Sequence, residues 1–168
     1  MGSGQGLPRM QELTFTAQGS SLVVTLTPNV LAHFEANAQR GGRSEAGGQL
    51  FGTFPAPNIM KVEKATGPVS AYRRFWNRII LNQRADQREI NAEFEKGLHY
   101  LGDWHTHPAT IPTPSPMDYQ TFQSRFQKST HELHAMLMVI VGTNPFPGGL
   151  WVGLQNNSIS TKLVLPYS

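Results

Sequence analysis

The 168-residue chain contains no cysteine. This absence excludes disulfide bridges, zinc sites built from cysteine thiolates, iron–sulfur clusters and every mechanism that needs a thiol nucleophile. Any metal bound by this protein must therefore be held by nitrogen and oxygen ligands.

Long apolar segments are also absent. No run approaches the ~20 apolar residues that a membrane-spanning helix needs. Residues 1–9 are rich in glycine and lack the apolar segment of a signal peptide, so we expect them to be a leader outside the fold. Together with the missing cysteines, these features predict a cytoplasmic protein with no membrane partner.

The charge imbalance is small, with 14 lysines and arginines against 11 acidic residues and a formal net charge of +3. Five arginines do gather beside two aromatic residues, Phe75 and Trp76; they are Arg73, Arg74, Arg78, Arg84 and Arg88. Solvated positions around a strand and a helix explain this cluster more simply than an acidic partner does. Nucleic acid is therefore a disfavoured partner.

Three segments have helical signals. The first begins at Thr27-Pro28, an N-cap followed by proline at the first helical position, and runs to about Arg40, before the Gly41-Gly42 pair. The second spans about Arg84 to Lys96, since apolar residues recur at helical spacing at Ile90, Phe94 and Leu98. The third opens at Ser115-Pro116, and its predicted inner face is Tyr119, Phe122 and Phe126.

Segments with the composition of strands interleave with these helices. They are Ser21–Leu26, Gly47–Phe54, Ile59–Ala65, Tyr72–Leu81, His99–His105, Ala135–Val141, Leu150–Gln155 and Ile159–Leu165. Such an arrangement predicts a single α/β or α+β domain with a mixed sheet over residues 10–168.

The chemically informative stretch is DWHTHPATIPTPSPMD, residues 103–118. His105 and His107 are two residues apart at the end of a predicted strand, so their side chains point to the same side. Two adjacent imidazoles suit Zn²⁺, and Asp118 in the first turn of the next helix supplies an oxygen ligand. A set of two histidines and one aspartate leaves the fourth tetrahedral position for a water, as in a catalytic zinc site.

Each part of this pattern also has an interpretation that involves no metal. A histidine at a strand end is commonly a surface or core residue, and Ser115 with Asp118 forms a capping box at a helix start. The cap and the metal site are compatible, because one loop can serve both. Asp103 is expected to form a hydrogen bond within the loop, and Trp104 is expected to pack in the core.

The spacing His105-x-His107, seven residues, Ser115, two residues and Asp118 resembles the JAMM motif of the MPN family of metallopeptidases, in particular its bacterial JAB-domain branch. The resemblance implies the MPN fold, a curved mixed sheet flanked by about three helices. It also implies one zinc ion with a catalytic water, held by His105, His107 and Asp118. The upstream glutamate of the family is matched by Glu45, in SEAGGQLFG.

By this resemblance Glu45 is the general base and acid, and Ser115 donates a hydrogen bond to the tetrahedral oxyanion. Gly47 and Gly48 lack Cβ atoms and so can lie close to a bound peptide. The implied substrate is the C-terminal tail of a ubiquitin-like protein or of another conjugated protein. The resemblance also implies operon partners. One bacterial branch accompanies a cyclic-nucleotide synthase in anti-phage operons, together with E1-like and E2-like enzymes.

Two alternative functions remain open from the sequence. One is a zinc peptidase that trims a sulfur-carrier protein or a cell-wall peptide. The other is an MPN scaffold that binds partners without catalysis, which the intact set of site residues disfavours.

Overall fold

The computed structural model of the protein describes residues 10–68, 83–128, 135–156 and 159–166. The predicted leader of residues 1–9, the predicted strand Tyr72–Leu81 and most of the arginine cluster lie outside these residues. Among the described residues, no helix combines the length and the apolar character needed to cross a membrane.

Eight strands and three α-helices are present in the described part of the chain. The strands are β1 (Leu13–Thr16), β2 (Val23–Leu26), β3 (Gly47–Ala56), β4 (Ile59–Ala65), β5 (His99–Thr106), β6 (Met136–Val141), β7 (Leu150–Gln155) and β8 (Ser160–Lys162). The helices are α1 (Pro28–Asn37), α2 (Gln83–Glu95) and α3 (Pro116–Lys128). Strand β1 was not predicted, and the last predicted strand is shorter than expected.

All eight strands form one mixed sheet in the order β1-β2-β4-β3-β5-β6-β7-β8. The β2–β4 and β5–β6 pairs are parallel, and the other neighbours are antiparallel. The two ends of the sheet meet, because Thr16 and Val164 exchange backbone hydrogen bonds of 2.7 and 2.9 Å. The sheet is thus curled, and the predicted α+β class with a mixed sheet is confirmed.

Helix α1 packs into the larger apolar core. Thr27 is its extended N-cap residue and Pro28 its first residue, as predicted, and the helix ends at Asn37, three residues before the predicted end. A short 3₁₀ turn follows, with Gly41 at a positive φ of 66°. Phe34 on the buried face of α1 contacts the ring of Trp104, which is fully buried, so the predicted core position of Trp104 is confirmed.

Helices α2 and α3 cover a second apolar cluster. Its fully buried members come from β3, β5, β6, β7 and α3: Phe51, Tyr100, Phe122, Phe126, Met136, Met138, Ile140 and Trp151.

The predicted inner faces of these two helices are wrong at one position each. Phe94 is 62% exposed and Tyr119 is 40% exposed, whereas Glu93 and Arg125 are buried. Apolar spacing fails here because ion pairs, and not only apolar contacts, dock the helices: Glu93 binds Lys64 of β4 at 2.6 Å.

An irregularity in β5 decides which way its side chains point. Leu50 pairs with Gly102 and Phe51 pairs with Tyr100, so Leu101 has no partner in β3 and forms a bulge. Because of this extra residue, Leu101 and Trp104 both join the larger core. Asp103 and His105 then lie on the opposite face, toward α3.

Candidate metal centre

His105 and His107 stand side by side at the end of β5, the strand at the centre of the sheet. Their Nε2 atoms are 3.2 Å apart, and their ring centroids are 4.9 Å apart. The alternation of an extended backbone therefore brings the two imidazoles to the same side, as the spacing in the sequence predicts.

Asp118 lies in the first turn of α3 and faces both rings. Its Oδ1 is 3.2 Å from Nε2 of His105, and its Oδ2 is 3.2 Å from Nε2 of His107. Asp118 and His105 are buried, while His107 is partly exposed. The three side chains are the group of possible metal ligands found among the described residues.

The start of α3 holds Asp118 in place through a reciprocal cap. The backbone N–H of Ser115 donates to Oδ2 of Asp118 at 2.8 Å, and the backbone N–H of Asp118 donates to Oγ of Ser115 at 3.0 Å. This confirms the capping box. Because the Ser115 oxygen acts as an acceptor in the cap, its hydroxyl hydrogen is left to donate elsewhere.

The protonation states of the cluster suit metal ligation. Burial lowers the pKa of His105 and outweighs the opposing effect of Asp118, so the imidazole is neutral at neutral pH. Burial would raise the pKa of Asp118, but hydrogen bonds from His105, His107 and the Ser115 N–H lower it well below its usual value. The cluster thus offers imidazole nitrogens and a carboxylate, the ionisation states that bind metals.

The spacing of these donor atoms fits a small tetrahedral cation. Zinc–nitrogen bonds are about 2.0 Å long, and a tetrahedron with bonds of that length has edges of about 3.3 Å. The two nitrogens are 3.2 Å apart, and each lies 3.2 Å from a carboxylate oxygen, His105 from Oδ1 and His107 from Oδ2, so the separations are compatible with such edges. Three protein donors would leave a fourth position for a water.

Glu45 is exposed and lies two residues before β3. The neighbouring backbone is fixed to the ligand strand: Gly47 pairs with His105, and the Thr106 N–H donates to the Ala46 carbonyl at 2.9 Å. The segment that carries Glu45 therefore runs beside the two histidines. The role of Glu45 itself stays a prediction.

Gly47 and Gly48, predicted to approach a substrate, differ in their surroundings. Gly47 lies opposite His105, on the strand next to the metal ligands. At Gly48 an added Cβ would lie 1.8 Å from the carbonyl oxygen of Thr66 and 2.9 Å from Nε1 of Trp104. Close packing against β4 and Trp104 thus accounts for glycine at position 48.

Two neighbours of the cluster were missed or misjudged from the sequence. Thr106, between the histidines, is buried and its hydroxyl accepts the N–H of Ala46 at 2.9 Å. Asp103 was expected to form a hydrogen bond within its loop. It instead pairs with Arg125 of α3 at 2.5 Å. The sequence contained one indication of this pair. Arg125 lies two helical turns after Asp118 and therefore on the same face of the predicted helix.

The chain is similar to several known proteins. A family profile described as prokaryotic homologs of the JAB domain matches residues 27–152. A protein of Vibrio cholerae named CD-NTase/cGAS isopeptidase is 35% identical over 153 residues, covering 89% of this chain and 92% of the relative. A protein of Enterobacter hormaechei with the same name is 26% identical over 140 residues, covering 81% of this chain and 76% of the relative.

Among solved structures, a protein from Desulfitobacterium hafniense has the same fold. Its solution structure matches with a TM-score of 0.58 at 20% identity, covering 83% of this chain and 88% of that protein. The family profile spans most of the chain, including every predicted metal ligand and Glu45. The chain belongs to the family of prokaryotic JAB-domain proteins.

Proposed function

We propose that this protein is a zinc-dependent isopeptidase that hydrolyses the amide bond between the C-terminal tail of a conjugated protein and its target. The observation that carries the proposal is the buried cluster of His105, His107 and Asp118, with donor atoms 3.2 Å apart. Family membership and relatives named as isopeptidases support the same reaction class.

In this proposal His105, His107 and Asp118 hold the zinc ion. When bound there, zinc would supply a Lewis acid that lowers the pKa of a water to about 7 and polarises the scissile carbonyl. The neutral imidazole of His105 and the ionised carboxylate of Asp118 are already in their ligand forms, because of the pKa shifts of these two groups.

Glu45 is proposed as the group that moves the proton. It is not one of the three clustered ligands, and its exposed carboxylate is anchored beside β5 through Ala46 and Gly47. As general base it takes a proton from the attacking water, and as general acid it delivers a proton to the leaving amine.

Ser115 is proposed to stabilise the oxyanion. Its oxygen already accepts the Asp118 N–H, and that bond orients its hydroxyl next to a metal ligand. A hydrogen-bond donor in this role stabilises the transition state by about 2.7 to 4 kcal/mol.

The proposed substrate is a protein conjugate in which one partner is a CD-NTase or a ubiquitin-like protein. The relatives' printed name supports the first, and the family resemblance supports the second. Such a substrate would place the enzyme in the cytoplasm beside E1-like and E2-like conjugating enzymes. Gly47, opposite His105, is the proposed main-chain contact for the substrate tail.

Cleavage assays with a matched pair of glutamate variants test the proposal. Zinc-loaded wild type, Glu45→Gln and Glu12→Gln are incubated with a ubiquitin-like protein fused through its tail to a second protein, and with a lysine-linked CD-NTase conjugate. Glu12 is an exposed glutamate before β1, so its variant controls for the loss of one charge. We expect Glu45→Gln to bind zinc normally and to lose cleavage, and Glu12→Gln to match wild type. Cleavage by Glu45→Gln at the wild-type rate contradicts the proposed mechanism.

A further inference from the structure

Arg125 of α3 is buried against the face of β5 that carries His105. Its guanidinium approaches the Asp103 carboxylate through two nitrogens, Nε at 2.5 Å and Nη2 at 3.0 Å. Nη1 of the same group lies 3.1 Å from Asp86 of α2. Arg125 is 7% exposed and Asp103 is 3% exposed, so both charges are shielded from water.

This ion pair joins the same strand and helix as the contact between two of the proposed metal ligands. Asp103 lies two residues before His105 on the same face of β5, and Arg125 lies two helical turns after Asp118 on α3. The strand and the helix are therefore joined at two points, once by His105 and Asp118 and once by Asp103 and Arg125.

We infer that Arg125 and Asp103 are positioning residues, which set the placement of α3 against β5 and thereby the geometry of the three metal ligands. The inference rests on the proposed metal site. Asp103 lies on β5 with His105, and Arg125 lies on α3 with Asp118, so both act through the elements that carry these ligands.

The chemistry of the pair suits this role. The guanidinium meets the Asp103 carboxylate through one hydrogen bond, from Nη2 to Oδ1 at 3.0 Å, and through the close approach of Nε to Oδ2. This planar, forked group constrains orientation in a way that a flexible lysine does not. Buried ion pairs add little net stability compared with well-packed apolar residues of the same size. A geometric role, and not added stability, therefore accounts best for charges buried at this position.

The test compares three changes at the pair with a matched control. The first two are Arg125→Lys, which keeps the charge but removes the fork, and Asp103→Asn, which keeps the shape. The third is the double variant Asp103→Leu with Arg125→Leu, which replaces the pair by apolar side chains. The control is Lys64→Met, because Lys64 forms an ion pair between β4 and Glu93 of α2, away from the pairing of α3 with β5.

Two readouts need no substrate. Zinc affinity is measured by competition with a chromogenic chelator, and ligand geometry is read from the visible absorption spectrum of the cobalt-substituted protein. We expect the changes at the pair to weaken zinc binding ~10- to 100-fold, as loss of groups that orient metal ligands does. We also expect an altered cobalt spectrum, and wild-type values for Lys64→Met.

The double variant decides the question even if a single variant unfolds, because it leaves neither member of the pair as an unpaired buried charge. Asp86→Asn is added to it, because Asp86 also pairs with Arg125 and would otherwise lose that cation. A folded protein with these three substitutions that keeps the wild-type zinc affinity and cobalt spectrum overturns the inference. A wild-type protein that binds zinc but cleaves no conjugate contradicts the proposed function only, since the metal readouts still test the pair.

Discussion

Thr106 and Ala46 are joined by two hydrogen bonds. The Thr106 N–H donates to the Ala46 carbonyl, and the Ala46 N–H donates to Oγ1 of Thr106, both at 2.9 Å. Thr106 lies between the two histidines, and Ala46 directly follows Glu45. The threonine thus ties the proposed proton-transfer residue to the ligand strand.

Replacing Thr106 by valine should separate catalysis from metal binding. Thr106→Val keeps the side-chain shape but leaves the Ala46 N–H without its acceptor and removes the bond that the hydroxyl donates to Gln39 Oε1 at 3.0 Å. An unsatisfied buried group of this kind costs about 1 to 3 kcal/mol of stability. We expect kcat to fall about tenfold, because a general base displaced from its proton loses part of its effect. Zinc affinity should stay at the wild-type value.

The matched control for this variant is Thr14→Val, at a half-buried strand position on β1. It should leave kcat unchanged. Equal kcat values for Thr106→Val and wild type would show that Thr106 does not position Glu45.

Gly48→Ala tests whether this glycine serves packing. Its Cβ would lie 1.8 Å from the Thr66 carbonyl oxygen, so β3 and β4 must move apart. Overpacking of this kind costs about 1 to 3 kcal/mol, which we expect as a lower melting temperature in a thermal scan. A variant with the wild-type melting temperature but a raised KM would instead support a substrate contact at Gly48.

The stability of the metal-free protein should fall in acid through His105 and Asp118. Burial lowers the pKa of His105 in the folded state, so the unfolded chain takes up a proton first as the pH drops below about 6.5. Burial opposes the lowering of the Asp118 pKa, but hydrogen bonds from His105, His107 and Ser115 dominate. The stability that Asp118 contributes is thus complete above about pH 4 and is lost below it.

Denaturant titrations of the metal-free protein from pH 7 to pH 2 measure this dependence. The difference in unfolding free energy between wild type and Asp118→Asn should shrink as the pH falls below about 4. A difference that widens below about pH 4 would mean that the pKa of Asp118 is raised in the folded protein.

The approach of His105, His107 and Asp118 to one another could be predicted from sequence because part of its geometry is local. Two residues of spacing on a strand place His105 and His107 together, and a helix start places Asp118 in a capping box. The start of α1 could also be predicted, because Thr27 as the N-cap residue and Pro28 at the first helical position indicate it.

Features that depend on contacts between distant elements were not predictable in this way. The pairing of Asp103 with Arg125 joins a strand to a helix, and apolar periodicity treats a charged residue as exposed. The same limit explains the wrong placement of Phe94 and Tyr119. The bulge at Leu101 had a local signal in Gly102, because an isolated glycine within a strand indicates a bulge, but the register of β3 against β5 decides where it lies.

The central claim, a zinc-activated hydrolysis without a protein thiol, is tested most directly by removing and restoring the metal. Wild-type protein is treated with a strong chelator, assayed for conjugate cleavage, reloaded with stoichiometric zinc and assayed again, in parallel with a sample treated with an alkylating agent. We predict that cleavage disappears on chelation, returns with zinc and is unaffected by alkylation, since the chain contains no cysteine. Cleavage that continues at the wild-type rate in demonstrably metal-free protein would contradict the account.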